Sequence, residues 1–518
     1  MNSLNSICAA KQDSCVALRR RFHRVPEVRW EEEATMAMVM AEIEELRKIS
    51  GVFGDTVVGK GGIYVDINPV STEPSSTPTP NTRILLRADC DGLPVPEATG
   101  LPFTSTNGNS HACGHDMHMA MLLTAMRVFC ARSPTFPLRC VFQRAEENPI
   151  TKSGGAVMCS EDNVLQNIME VYGLHVWATL PANKFYSRPA EILANSDRLR
   201  VSISCCGGHA SNPSTTTNPI QVSANIISRL DGFDERTLPP QTVSALVPTI
   251  LHSGTASNVI PNTAELWFGV RNFLPPSARS SFHEQLCQEV SNAASHFPLA
   301  DLTVTPKIIP GHPATINSPT CVASLAANLR THLAPGDVST TTPPILGGED
   351  FSHYLQARPG AFFLLGAHTP TSGDHHSPAF NPDERVLWRG VLYWCAIAYG
   401  AESESGESPD TTFLGSTRYA CERSEWRQVE TRDARREPLF PRSSFICSKR
   451  AESGPKRTTG GSKRSASGVF WSNPLAHEPY SPPINPRSPL ARPVVLTAPP
   501  LVHTCVWPSL TLASLAGR

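Results

Sequence analysis

Charge is sparse in this sequence and almost balanced. Its 518 residues carry 45 Lys+Arg against 46 Asp+Glu, 18% charged in all, for a net of −1. A dedicated nucleic-acid binder carries a basic excess, so no nucleic-acid partner is expected. Long apolar runs are missing too. One long uncharged stretch, 493–517, holds four prolines and several hydroxyls, whereas a spanning helix needs about 20 mostly apolar residues. No membrane partner is expected. Residues 1–21 contain no apolar h-region, so no secretory signal is read there. The fifteen cysteines then read as reduced thiols in a cytoplasmic protein, mostly small core residues. No internal repeat is found. The apolar fraction, 40%, is slightly under the roughly 45–50% of globular chains, a figure that includes Gly.

Proline, by contrast, is abundant at 47, and the chain divides by composition. Residues 401–518 hold 16 Lys+Arg and 11 Asp+Glu, a net of +5, and end Pro-rich. They show no periodic pattern and read as a disordered tail. Residues 1–400 carry the opposite balance, −6. Helix patterns at 15–22, 31–49, 117–130 and 386–399 interleave with strand patterns at 62–67, 83–88, 138–143, 171–176 and 361–366. A Pro/Ser/Thr loop at 69–82 reads as an exposed insertion. The alternation predicts an α/β fold, with a mixed, largely parallel sheet flanked by helices. The middle runs strand (198–205), helix (219–230), strand (243–251), strand (264–272), helix (278–294). That order predicts a small α+β sandwich inserted in the larger domain. The expected organisation is a catalytic domain in two parts, 1–189 and 306–400, an inserted lid or dimerisation domain at 190–305, and the tail.

Metal-binding side chains cluster where these strands end, which is where ligands gather in α/β sheets. Cys113 and His115 sit two apart at a Gly-containing turn before the apolar helix. Glu146 and Glu147 follow the strand at 138–143, His175 ends the one at 171–176, and His375 and His376 follow the one at 361–366. Singly, each has an ordinary reading: a buried cysteine, a solvated Glu pair, a core histidine, a loop histidine. Together, thiolate, imidazole and carboxylate suit zinc, and also manganese or cobalt. Adjacent glutamates allow one to bind metal while the other works as a base. A metal lowers the pKa of bound water towards about 7, and a nearby Glu can take its proton and pass it to a leaving amine.

With these residues in view, the sequence resembles the M20 peptidase family in its amidohydrolase branch, which includes hippurate, N-acyl-amino-acid and auxin-conjugate hydrolases. The matching stretches are LRRRFHRVPE at 18–27, LRADCDGLP at 86–94, HACGHD at 111–116, FQRAEE at 142–147 and GLHVW at 173–177. They continue with GGHA at 207–210, NVIP at 258–261, GGEDFS at 347–352 and HSP at 376–378. Nine motifs occur in order over about residues 14–400.

The resemblance implies Cys113, His115, Glu147, His175 and His376 as ligands of one or two divalent ions (Zn, Mn, Co or Ni) and Glu146 as general base. It implies His209 of the inserted domain as oxyanion stabiliser and Asn258 as a substrate contact. Asp89, Asp91 and Asp116 are expected to orient ligand histidines from behind. Arg144 stands where the family usually has proline and puts a positive charge near the site. The expected reaction is hydrolysis of a small-molecule N-acyl or N-aroyl amino acid, with a homodimer suggested through the inserted domain. A metallo-carboxypeptidase or dipeptidase is the alternative enzyme; a non-catalytic sensor is the alternative of another class.

Overall fold

A computed structural model describes residues 3–70, 83–147, 152–297 and 301–400. Most of the loop expected at 69–82, and the whole tail at 401–518, lie outside the described residues.

In chain order the first elements are α1 (Leu4–Ala9), α2 (Gln12–His23), α3 (Glu33–Ile49), β1 (Phe53–Val58), β2 (Gly62–Ile67), β3 (Arg83–Asp89), α4 (His115–Ala131), β4 (Leu138–Gln143), α5 (Gly154–Ser160), β5 (Ile168–Trp177), β6 (Phe185–Tyr186) and β7 (Ala190–Leu193). The middle comprises β8 (Asp197–Ser204), β9 (Gly208–His209), α6 (Pro219–Leu230), α7 (Phe233–Thr237), β10 (Ala245–Ser253), β11 (Val259–Ile260), β12 (Thr263–Arg271), α8 (Pro276–Ala294) and β13 (Thr303–Ile309). The chain then returns through β14 (Thr315–Asn317), α9 (Pro319–His332), β15 (Val338–Ser339), α10 (Ser352–Ala357), β16 (Gly360–Gly366) and α11 (Leu387–Tyr399).

The α/β expectation holds. Eight strands form one mixed sheet in the order β1-β2-β4-β3-β5-β16-β6-β15. Its centre is parallel: β3 pairs with β4 and β5, and β5 with β16. Antiparallel pairs flank it at β1–β2, β2–β4 and β6–β16. Strands covered on both faces read as continuous apolar runs, and β4 and β16 are buried along their whole length.

Helix α4 lies in the core, with its first twelve residues, from His115 to Met126, all buried. Each large side chain fully buried there contributes roughly 1.5–3 kcal/mol. Gly114 caps its N-terminus at φ 88°, and a Cβ there would lie 2.4 Å from Val176 Cγ2. Only glycine meets both demands, and the bend it makes separates Cys113 from His115.

The four-stranded antiparallel sheet runs β10-β12-β8-β13. Leu199, Val201 and Ile203 of β8 alternate with polar residues and pack, with Leu266 and Phe268 of β12, against Val222 and Ile226 of α6 and Leu286 and Val290 of α8. The opposite face of this sheet carries Arg198, Arg200, Trp267 and Arg271.

Candidate metal centre

The parallel strands β3, β4, β5 and β16 deliver their carboxyl ends to one cleft of about 1040 Å³. Cys113, Glu146, Glu147, His175, His375 and His376 line it. Cys113, His115 and Glu147 each place a donor atom within 4.8 Å of the other two, and so do Asp89, His115, His118 and His175. Cys113 Sγ lies 3.4 Å from His175 Nε2, and His376 Nε2 lies 2.9 Å from Glu147 Oε1. The five side chains expected as ligands therefore meet at one place.

Hydrogen bonds fix which ring nitrogens are free. His115 Nδ1 is 3.1 Å from Asp91 Oδ1, while its buried Nε2 has no hydrogen-bond partner among the described residues. His175 Nδ1 is bonded to the Val176 carbonyl, so its Nε2 keeps a lone pair towards Cys113. His118 is fully committed: Nδ1 to Asp89 Oδ1 at 2.5 Å, and Nε2 as acceptor from the Val176 amide at 2.9 Å. His375 Nε2 likewise accepts from the Ala178 amide. An orphaned imidazole nitrogen facing a thiol and a carboxylate is a donor set that fits a divalent cation.

Electrostatics agree. Burial, then the negative charges of Glu147, Glu146 and Asp89, push the Cys113 thiol well above its ordinary range, and a cation would reverse that. Burial holds His175 well below the ordinary imidazole value. For His115, burial is outweighed by Asp89 and Asp91, which raise it to about 10. Glu146 is buried beside Glu349, Glu147 and Asp350, and burial first, then these charges, raise its carboxyl well above the usual range.

Behind the cluster lies a buried ion network. Arg87 contacts Asp89 at 2.7 Å, Glu349 at 3.1 Å and Asp350 at 2.6 Å. Asp350 also accepts from Gln143 and the Gly155 amide. Removing one partner from such a network typically costs about 3–5 kcal/mol. Arg87, Glu349, Asp350 and His118 were not singled out from sequence, although the first three stand inside matched motifs.

The supporting aspartates divide. Asp91 joins the ligand segments, with Oδ1 on His115 and Oδ2 accepting from the Glu147 amide at 2.9 Å. Asp89 holds His118. Asp116 turns instead to Arg19 (2.6 Å) and His23 (2.7 Å), away from the ligand imidazoles, because α2 packs its basic residues on that side of α4. Arg144 also points elsewhere. It bonds Glu32 at 2.9 Å, Glu33 at 2.9 Å and the Trp30 carbonyl, so its charge is spent on Glu32 rather than presented to the cleft. His209 and Asn258 are exposed neighbours on β9 and the turn before β11, with the Ala210 amide bonded to the Asn258 carbonyl. Neither lines the cleft.

Backbone strain marks the same loops. Ala145 at φ 53° and His376 at φ 65° hold left-handed conformations beside the two glutamates and at a proposed ligand, and such conformations persist where the surroundings enforce them.

Among the described residues no helix is long and apolar enough to cross a membrane. Residues 85–400 match the Peptidase family M20/M25/M40. Thermostable carboxypeptidase 1 of Saccharolobus solfataricus is 32% identical over 75% of this chain and 95% of its own length. IAA-amino acid hydrolase ILR1-like 5 of Arabidopsis thaliana is 30% identical over 77% of this chain and 89% of its own length. The crystal structure of the Bacillus subtilis YXEP protein, a dinuclear metal binding peptidase from the M20 family, superimposes with a TM-score of 0.61 at 26% identity, covering 75% of this chain and 98% of that one. With its cluster of metal-binding side chains at the strand ends, the chain belongs to the M20/M25/M40 peptidase family and is a metal-dependent hydrolase.

Proposed function

We propose that this hydrolase cleaves the amide bond of N-acyl or N-aroyl amino acids, releasing a carboxylic acid and a free amino acid. The observation that carries the reading is that Glu146 lines one cleft of about 1040 Å³ together with Cys113, Glu147, His175 and His376, with His115 clustered on Cys113 and Glu147. A divalent cation held by that set (Zn, Mn, Co or Ni) would act as a Lewis acid and lower the pKa of an attacking water. Glu146 takes the proton of that water and returns it to the departing nitrogen. Burial, then the charges of Glu349, Glu147 and Asp350, raises its basicity for the first transfer. Asp91 holds the His115 ring and the Glu147 backbone in place.

His209 is proposed to stabilise the oxyanion and Asn258 to hold the substrate. Since both are exposed outside the cleft, the four-stranded sheet with its helices, proposed as an inserted lid domain, must close over the cleft, or the pair must serve a second copy. Exposed Val247, Ile250 and Leu251 on the edge strand β10 support a homodimer.

Carboxypeptidase activity on short peptides is the second reading, favoured by the carboxypeptidase named among the relatives. The thiol at position 113 favours the amide reading, because the peptidase branches, as the resemblance implies, place carboxylates and histidines there. A metal-supplemented panel of acyl-amino acids and dipeptides separates the two. Hydrolysis of acyl-amino acids is expected; turnover of dipeptides alone would overturn the choice.

A further inference from the structure

The cleft wall formed by the four-stranded sheet has an unbalanced charge pattern. Register sets Arg198 of β8 opposite Gly269 of β12, and Asp197 opposite Val270. Side chains alternate along strands, so Arg271, two residues beyond Gly269, shares the face of Arg198 as its diagonal neighbour, within reach of long side chains. Both line the cleft. Gly269 puts no side chain across from Arg198, although a Cβ there would meet only Thr249, at 3.9 Å.

The guanidiniums of Arg198 and Arg271 have no carboxylate partner among the described residues. Nearby acids are taken. Asp197 accepts from Arg279 (2.8 Å), His283 (2.8 Å) and the Gly311 amide (2.9 Å). Glu265 pairs with Arg200 at 2.9 Å, whose guanidinium also lies over Trp267. Glu349 faces Arg87. Arg271 reaches the catalytic end of the cleft: a Cβ on Gly348 would fall 2.8 Å from its Nη1, and Gly348 precedes Glu349, which clusters with Glu146. Partly buried cations that stay unpaired lose hydration without return, so a ligand anion is the missing partner.

We propose that Arg198 and Arg271 together receive two carboxylates of one amino-acid moiety, so that the preferred substrates are N-acyl derivatives of aspartate or glutamate. This rests on the amide-hydrolase reading of the site. With the scissile amide at Glu146, the α-carboxylate meets Arg271 and the side-chain carboxylate meets Arg198, one step farther along the sheet. Charge-assisted bonds of this kind are the strong ones, and a site built for a polar group rejects a substrate lacking it.

The test uses the full chain, metal-supplemented, with N-acetyl-L-glutamate and its neutral isostere N-acetyl-L-glutamine. Binding of the products L-glutamate and L-glutamine is titrated separately. Expected is a preference of about tenfold or more for the glutamate member in kcat/KM and in product affinity. Arg198→Gln should abolish it, in kcat/KM and in product affinity alike. Arg200→Gln, on the same face but already paired, should keep it. Equal handling of the two members by the wild type, or an undiminished preference in Arg198→Gln, overturns the proposal. Absence of amide hydrolysis with the L-glutamate preference intact and dependent on Arg198 would remove the amide reading and keep the carboxylate site.

Discussion

Both ring nitrogens of His118 are engaged, by the Asp89 carboxylate and the Val176 amide, whereas His115 and His175 each keep Nε2 for the cleft. His115 and His118, one turn apart on α4, thus have different tasks, set by what lies behind them. Asp91 is the clearest case of support, since one carboxylate holds a ligand ring and the amide of the next ligand. Asp91→Asn should weaken metal binding or activity by about 10- to 100-fold with little loss of fold, read by metal titration beside circular dichroism. Unchanged metal affinity would assign Asp91 a merely packing role. Placement at strand ends and a glycine turn brought out Cys113, His115, Glu146, Glu147, His175, His375 and His376, and the family resemblance then implied five of them as ligands. It did not separate Asp116 from Asp91. Both are acids near a ligand histidine, and only the packing of α2 on α4 shows that Asp116 is taken by Arg19 and His23.

At the scale of elements, the loop joining β4 to the glutamates is anchored to the N-terminal segment before α3. Glu32 accepts from the Arg144 guanidinium and from the Ala145 amide at 2.7 Å, fixing the left-handed residue just before Glu146. Burial and the charge of Asp91 push Glu32 up to about 7, with Arg144 opposing. Arg144→Ala leaves this buried carboxylate without its cation, which should cost about 1–3 kcal/mol and reduce kcat more than it raises KM. Thermal denaturation and steady-state kinetics check both; an unchanged melting temperature would contradict the anchor. Long periodic segments were readable at this scale: the helix expected at 31–49 is α3, and the strands at 62–67 and 138–143 are β2 and β4. The two-residue strands β6, β9, β11 and β15 were not, since so short a run has no period to read. Strand β13 was missed because its inward and outward residues are only partly buried.

For the whole molecule, the α/β architecture with an antiparallel sheet between its two halves was legible, because strand ends carry the motifs and strand interiors carry the apolar runs. What no pattern reveals is how the cleft is completed. The edge strand β10 leaves Val247, Ile250 and Leu251 about half exposed, at 51, 41 and 46%, and an open apolar edge invites pairing. Sedimentation should therefore give about twice the chain mass of 56.2 kDa, and Ile250→Lys should shift it to monomer. A wild type that stays monomeric at micromolar concentration would count against the homodimer.

The proton transfer proposed for Glu146 in a metal-dependent amide hydrolysis is open to a direct test. It is tested most directly by measuring bound metal and acyl-amino-acid hydrolysis together for the wild type and Glu146→Gln. Equal metal content and a rate reduced by at least about 100-fold are expected for the variant. A metal-loaded Glu146→Gln enzyme hydrolysing the same substrate at near wild-type rate would contradict it.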